Sequence, residues 1–143
     1  LAVAGKPDTE HSLILDKFST PSTRIFYYGN CSYNKLEHLY LNSHLLILPS
    51  IEDGYGMVVN EALSYGTPCI VSNSAGAMDI VSEERNGYVF KALDPTDLCA
   101  KIGKFAALSI NDKYSMTLCS LDTIHRTWMN YATDYMKSVL SDS

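Results

Sequence analysis

Residues 49–68 read PSIEDGYGMVVNEALSYGTP, from Pro49 to Pro68. This stretch closes the apolar run His44–Leu48 and turns through Gly54 and Gly56. It then opens a segment with apolar residues on one side, and stops at Gly66 before another apolar run, Cys69–Val71. Strand, glycine turn, helix, glycine stop and strand follow one another within the 28 residues from His44 to Val71. Both flanking runs are apolar on both faces, as strands buried inside a parallel sheet must be. Three carboxylates, Glu52, Asp53 and Glu61, fit no hydrophobic face of this unit.

The same alternation extends in both directions. Upstream, Leu1–Ala4 is closed by Gly5 and Pro7 and reads as a strand, and Leu13, Ile14 and Phe18 place a helix over Thr9–Phe18, ended by Pro21. Arg24–Tyr28 (RIFYY), closed by Gly29, reads as a second strand with Tyr27 and Tyr28 in the sheet core. Leu36, Leu39 and Tyr40 give a helix running to about Asn42. Downstream, Asn73–Ala77 reads as loop, Met78–Ser82 as a short helix and Tyr88–Phe90 as a fifth strand after the Asn86-Gly87 turn signal. Asp94-Pro95 opens a helix carrying Leu98, Ile102 and Phe105 inward. Helices over Lys113–Leu121 and Ile124–Leu140, the latter with Trp128, Tyr131, Tyr135 and Met136, complete the chain.

The expected fold is therefore α/β, a Rossmann-like parallel sheet with helices on both faces, formed as a single domain over residues 1–143. Such sheets bind ligands beyond the carboxyl ends of their strands, where helices begin. Gly5, Asp53, Gly54 and Asn73 fall on that rim.

Composition narrows the function. The chain is 46% hydrophobic and 19% charged with a formal net charge of −5, which suits a soluble globular protein and gives nucleic acid no basic tract to hold. No run approaches the roughly 20 apolar residues of a membrane-spanning helix. Leu1–Ala4 lacks the charged lead-in and cleavage site of a signal peptide, and a strand without a starting Met is expected to have been cut from a longer chain. Cys31, Cys69, Cys99 and Cys119 form no C-x-x-C pair, so each is expected to be a small buried hydrophobe in a reducing, cytoplasmic setting. His11, His38, His44 and His125 have no metal or triad spacing, and Ser50 stands in no G-x-S-x-G elbow.

Gly54 and Gly56 would let backbone amides approach a ligand closely, and the positive end of the helix behind them favours an anion such as phosphate. Glu61, further along that helix, could accept bidentate hydrogen bonds from the vicinal hydroxyls of a ribose, and Asp53 could hold a sugar hydroxyl. Together these suit a nucleotide sugar. Glycine pairs at strand-to-helix turns are also common in any α/β protein, and Glu61 alone could be a solvated helix residue.

The stretch resembles the donor-binding signature of the retaining GT-B glycosyltransferases, glycosyl transferase group 1 or family 4 type. That signature runs Pro-Ser, Glu, Gly-Phe-Gly, a second Glu followed by Ala, then Gly-x-Pro. Pro49-Ser50, Asp53, Gly54-Tyr55-Gly56, Glu61-Ala62 and Gly66-Thr67-Pro68 occupy those positions. The likeness continues through Gly76, Asp79-Ile80-Val81, Asn86-Gly87, Asp94, Asp97-Leu98 and Thr127-Trp128 with Tyr131.

The resemblance implies the C-terminal, donor-binding half of a GT-B enzyme, with the acceptor domain lying N-terminal to it. Glu61 would bind the ribose hydroxyls and Asp53 would contact the sugar, and these two are the residues assigned to catalysis. Gly54, Tyr55, Gly56, Met57 and Val58 would join Glu61 in binding the donor, a UDP-, GDP- or ADP-linked sugar. The acceptor would be a glycan or a lipid-linked molecule in polysaccharide or glycoconjugate synthesis. No metal and no further cofactor are expected, in keeping with the absence of an Asp-x-Asp motif. The whole protein is expected in the cytoplasm, with peripheral association at the inner membrane face.

Two departures set the alternative. Asp53 stands where the signature has Glu, so either the shorter Asp53 or the adjacent Glu52, with the turn shifted by a residue, fills that position, and the family's diphosphate-binding Arg and Lys would precede Leu1. A non-catalytic interaction or scaffold domain keeping the half-fold is the competing expectation, and the isolated chain is expected to turn over no nucleotide sugar. A dinucleotide oxidoreductase is disfavoured because no G-x-G-x-x-G follows the first strand.

Overall fold

The computed structural model describes residues 1–6, 20 and 24–124. The helix expected over Thr9–Phe18 and, beyond Ile124, the one expected over Ile124–Leu140, with Pro21, His11, His125, Thr127, Trp128 and Tyr131, lie outside the described residues. Two compact units form, Leu1–Asn42 and Ser43–Ser143.

In the first unit, β1 (Ala2–Ala4) runs parallel to β2 (Phe26–Gly29), pairing Ala2 with Phe26 and Val3 with Tyr27. Helix α1 (Tyr33–Leu41) follows and buries Tyr40. The aromatic pair behaves differently from the sequence expectation. Tyr27 is exposed and its hydroxyl donates to the Gly5 carbonyl at 3.0 Å, while Tyr28 lies beneath the Lys35 ammonium, 4.6 Å from its ring centre.

The second unit is built on three parallel strands in the order β3 (Leu46–Leu48), β4 (Cys69–Ser72) and β5 (Gly87–Phe90). Leu46 pairs with Cys69, and Cys69 with Gly87. Every residue of the central strand β4 is buried, as its continuous apolar reading requires. Side chains alternate across a strand, so neighbouring residues of β4 report on the two faces. Ile70 packs with Tyr88, Phe90, Phe105 and Met116, the last two from helices α3 (Pro95–Ala107) and α4 (Ile110–Ile124). Cys69 turns the other way, its thiol toward the Val59 carbonyl of α2 (Met57–Ser64) at 3.9 Å. Helices therefore cover both faces of this sheet, as the sequence implies.

Local chemistry fixes the helix ends. Asp94 caps α3, its carboxylate accepting from the amides of Thr96 and Asp97, both at 3.1 Å, with Pro95 in the first turn. Helix α4 is longer at both ends than the apolar spacing alone suggests. Ser109 and Asp112 supply the reason at its start: the Asp112 amide donates to the Ser109 hydroxyl at 3.2 Å, and that hydroxyl donates to the Asp112 carboxylate at 2.7 Å. The short helix expected at Met78–Ser82 is a 3₁₀ turn over Gly76–Ile80, beginning inside the stretch read as loop. Docking of its first amides on the residue 53–55 backbone moves its start upstream, as described below.

Buried Asn86 joins β5 to α4. Its side chain accepts from the Ser82 amide at 2.7 Å and donates to the Ile80 carbonyl and the Thr123 hydroxyl, both at 2.9 Å. All four cysteines are free thiols, but they are not uniformly buried. Cys69 is fully enclosed, whereas Cys99 is exposed because it sits one residue off the Leu98, Ile102 and Phe105 stripe of α3.

Burial pushes the Cys69 thiol far above its ordinary range. Its contribution to stability is complete below the unfolded thiol range near pH 8.5 and is lost as pH rises beyond it, because only the unfolded chain then releases the proton. Stability is expected to fall by about 1.4 kcal/mol one pH unit above that range, and Cys69→Ala should flatten the decline in denaturant titrations between pH 8 and 10.

Candidate functional site

The loops leaving the carboxyl ends of β3, β4 and β5 are fastened to one another by polar side chains of this rim. The Ser72 hydroxyl donates to the Ser50 carbonyl at 2.5 Å and accepts from the Ser74 amide at 3.1 Å. Asn73 accepts from the Ala92 amide at 2.9 Å, while its own amide donates to the Phe90 carbonyl at 2.9 Å. Asn73 was expected on this rim from the strand order, whereas Ser72 did not stand out in the sequence; a polar residue just past a wholly apolar run is the signal that could have marked it.

Between these ties sits the glycine turn. Asp53 bridges Ala75 in parallel fashion, the Gly76 amide donates to the Asp53 carbonyl at 3.4 Å, and the Ala77 amide donates to the Tyr55 carbonyl at 2.5 Å. The Asp53 carboxylate folds back over the turn, its Oδ1 accepting from the Tyr55 amide at 3.2 Å. Asp53 is half-buried, whereas Glu52 is exposed.

The three glycines here do different things. Gly56 has φ of +81°, so its backbone favours glycine, while a Cβ there would lie 2.9 Å from Leu48 Cδ2, the movable end of a side chain. At Gly76 a Cβ would come within 2.6 Å of the Gly54 carbonyl oxygen. Gly54 itself has nothing within 4 Å of its missing Cβ, so its neighbours impose no demand for glycine.

Gly56 caps α2 without a side-chain bond, and the first turn of α2 holds no acidic residue. Helix geometry leaves the amides of Met57 and Val58 without intrahelical acceptors, at the positive end of the helix. Along α2, Val59, Ala62 and Leu63 are buried, so Met57, Asn60, Glu61 and Ser64 share the outward face. Glu61 is half-buried there. The structure thus gathers Asp53, Gly54, Tyr55, Gly56, Met57 and Val58 at one helix start, with Glu61 on the same helix about a turn further on. Gly5 belongs to the first unit, where its amide donates to the Gly29 carbonyl at 2.9 Å.

Among the described residues, no group of three or more His, Cys, Asp or Glu side chains is placed to hold a metal ion, and no helix is long and apolar enough to cross a membrane.

Residues 1–115 match the family described as glycosyl transferases group 1. The chain belongs to that family. A glycosyltransferase of Methanocaldococcus jannaschii is 33% identical over 64 residues, which cover 45% of this chain and 16% of that protein. The chain spans less than a quarter of the length of the curated relatives it matches. Among solved structures, sucrose-phosphate synthase from Thermosynechococcus elongatus superposes with a TM-score of 0.77 at 17% identity, over 99% of this chain and 39% of that one. The Anabaena protein Alr3699/HepE, solved in complex with UDP-glucose, gives a TM-score of 0.74 at 16% identity, over 99% of this chain and 40% of that one. At such identities the structures establish the fold, the Rossmann-like α/β half of a GT-B glycosyltransferase.

Proposed function

We propose that this chain is the donor-binding part of a retaining glycosyltransferase and holds a nucleoside diphosphate sugar at the start of α2. The observation that carries the reading is the start of α2, which has no side-chain cap and no acidic residue in its first turn, behind an exposed Gly54 that packing does not require. The amides of the turn and of Met57 and Val58 would meet the diphosphate, Glu61 the ribose hydroxyls, and Asp53 the sugar. Asp53 rather than Glu52 fills the first acidic position, since its carboxylate is built into the turn.

Transfer breaks the bond between the anomeric carbon and the diphosphate oxygen, and the nucleoside diphosphate leaves with growing negative charge. Backbone amides and the helix dipole fixed beforehand stabilise that charge without reorganising. In this reading no resident metal takes part. The acceptor, a glycan or a lipid-linked molecule, is met by an N-terminal domain of the whole protein, which works in the cytoplasm with peripheral contact at the membrane. The solved UDP-glucose complex of a protein with this fold supports a nucleotide-sugar ligand.

Isothermal titration of UDP, GDP and ADP into the full-length protein tests this. One of the three should bind, and Glu61→Ala should weaken it by about 2 kcal/mol, roughly thirtyfold, as expected for losing hydrogen bonds to a charged group. If none binds, or Glu61→Ala changes nothing, the half-fold serves as an interaction scaffold instead.

A further inference from the structure

Asn60 occupies a position that works against stability. It lies inside α2, where asparagine is a poor helix former, and its side-chain oxygen is buried without a hydrogen-bond partner among the described residues. An unmet buried carbonyl is a standing loss that an apolar side chain would remove. The bond Asn60 does make runs to the edge of the site: its Nδ2 donates to the Tyr55 hydroxyl oxygen at 3.3 Å.

That bond leaves the Tyr55 proton to an acceptor other than Asn60. A tyrosine hydroxyl carries one proton and can accept as well as donate. With Asn60 donating to the oxygen, the hydroxyl proton is directed elsewhere, and Tyr55 is 43% exposed. Asn60 lies about 4.5 Å along the axis from Met57, and Glu61 is the next residue. The hydroxyl is therefore held beside α2, between its start and the level of Glu61.

We infer that Tyr55 Oη donates to a phosphate oxygen of a nucleotide lying along α2, with Asn60 as the positioning residue that aims it. This rests on the nucleotide reading above. A diphosphate held at the helix start, with its ribose at Glu61, passes the hydroxyl between the two. The contact would favour nucleotides over nucleosides beyond what the backbone amides provide.

The test is a double-mutant cycle on the full-length protein, titrated with whichever of UDP, GDP and ADP binds and with the matching nucleoside. Tyr55→Phe should weaken the diphosphate about tenfold and leave both the nucleoside affinity and the thermal midpoint unchanged. Asn60→Ala should weaken the diphosphate severalfold without lowering the midpoint, since it removes the buried orphan, and should add nothing in the Tyr55→Phe background. Wild-type diphosphate affinity in Tyr55→Phe, or additive losses from the two changes, overturns the inference. Glu61→Ala separates the two levels: if it weakens binding while Tyr55→Phe does not, only this inference falls, and if neither does, the nucleotide reading falls with it.

Discussion

Gly87→Ala is expected to abolish folding of the second unit, with a loss of more than 4 kcal/mol. A Cβ at Gly87 would be driven into the backbone carbonyl of Cys69, with the Cys69 carbon and nitrogen close behind. The obstacle is main chain rather than the end of a flexible side chain, so no rotamer change relieves it. Nor can the strand retreat easily. The Gly87 carbonyl accepts from the Glu84 amide at 3.0 Å, the Cys69 amide donates to the Asn86 carbonyl at 3.0 Å, and β5 supplies Tyr88 and Phe90 to the core. Moving β5 away from β4 would open the ladder and the apolar cluster together. Circular dichroism and soluble yield should show the loss, while Gly103→Ala, at a helix position with nothing within 4 Å of the added carbon, should fold normally. A cooperative melt of Gly87→Ala within a few degrees of the wild type would contradict this account.

The same residue marks how far the sequence could be read. Asn86-Gly87 announced a turn, and a turn is present, with the amides of Arg85 and Asn86 donating to the Ser82 carbonyl at 3.1 and 3.3 Å. What the dipeptide could not announce is that Asn86 is buried with three side-chain bonds, one of them to Thr123 on a distant helix. Nor could it show that Gly87 is glycine because another strand lies against it. Local signals were legible because each acts within a few residues: Asp94-Pro95 opened α3, Gly66 ended α2, and the apolar runs marked β3 and β4. Ser109 and Asp112 carried a start signal of the same kind for α4, and apolar spacing alone overlooked it. Contacts between loops are different in kind. The Ser72, Asn73 and Gly76 ties join residues far apart in sequence, and only the parallel register brings them to one rim. The candidate site was read in part by pattern: Glu61 and the glycine turn stood out, whereas Asn60, a single polar residue on an amphipathic helix, did not.

Gly76→Ala and Gly54→Ala should divide what the fold needs from what a ligand needs, although the two residues touch. Gly76→Ala places a Cβ 2.6 Å from the Gly54 carbonyl oxygen and 3.2 Å from Tyr55 Cα, so the 53–55 loop or the 3₁₀ turn must shift. Overpacking against backbone at this distance is expected to cost about 3 kcal/mol and to break the Ala77–Tyr55 bond that pins the loop. Loss of nucleotide affinity should accompany that loss of stability, since the amides of the turn move with it. Gly54→Ala meets nothing within 4 Å, and its effect on stability should stay within about 0.5 kcal/mol. If a diphosphate packs against the Gly54 backbone, the added methyl intrudes on the ligand alone, and affinity should drop at least tenfold with an unchanged melt. Equal affinity in Gly54→Ala and wild type would mean that the ligand approaches α2 from the Glu61 side without crossing the turn. A melt lowered as much by Gly54→Ala as by Gly76→Ala would mean that the turn is packed more tightly than its open face indicates. The decisive comparison is the ratio of affinity loss to stability loss in the two variants, because only contact with a ligand makes that ratio large for Gly54 and small for Gly76.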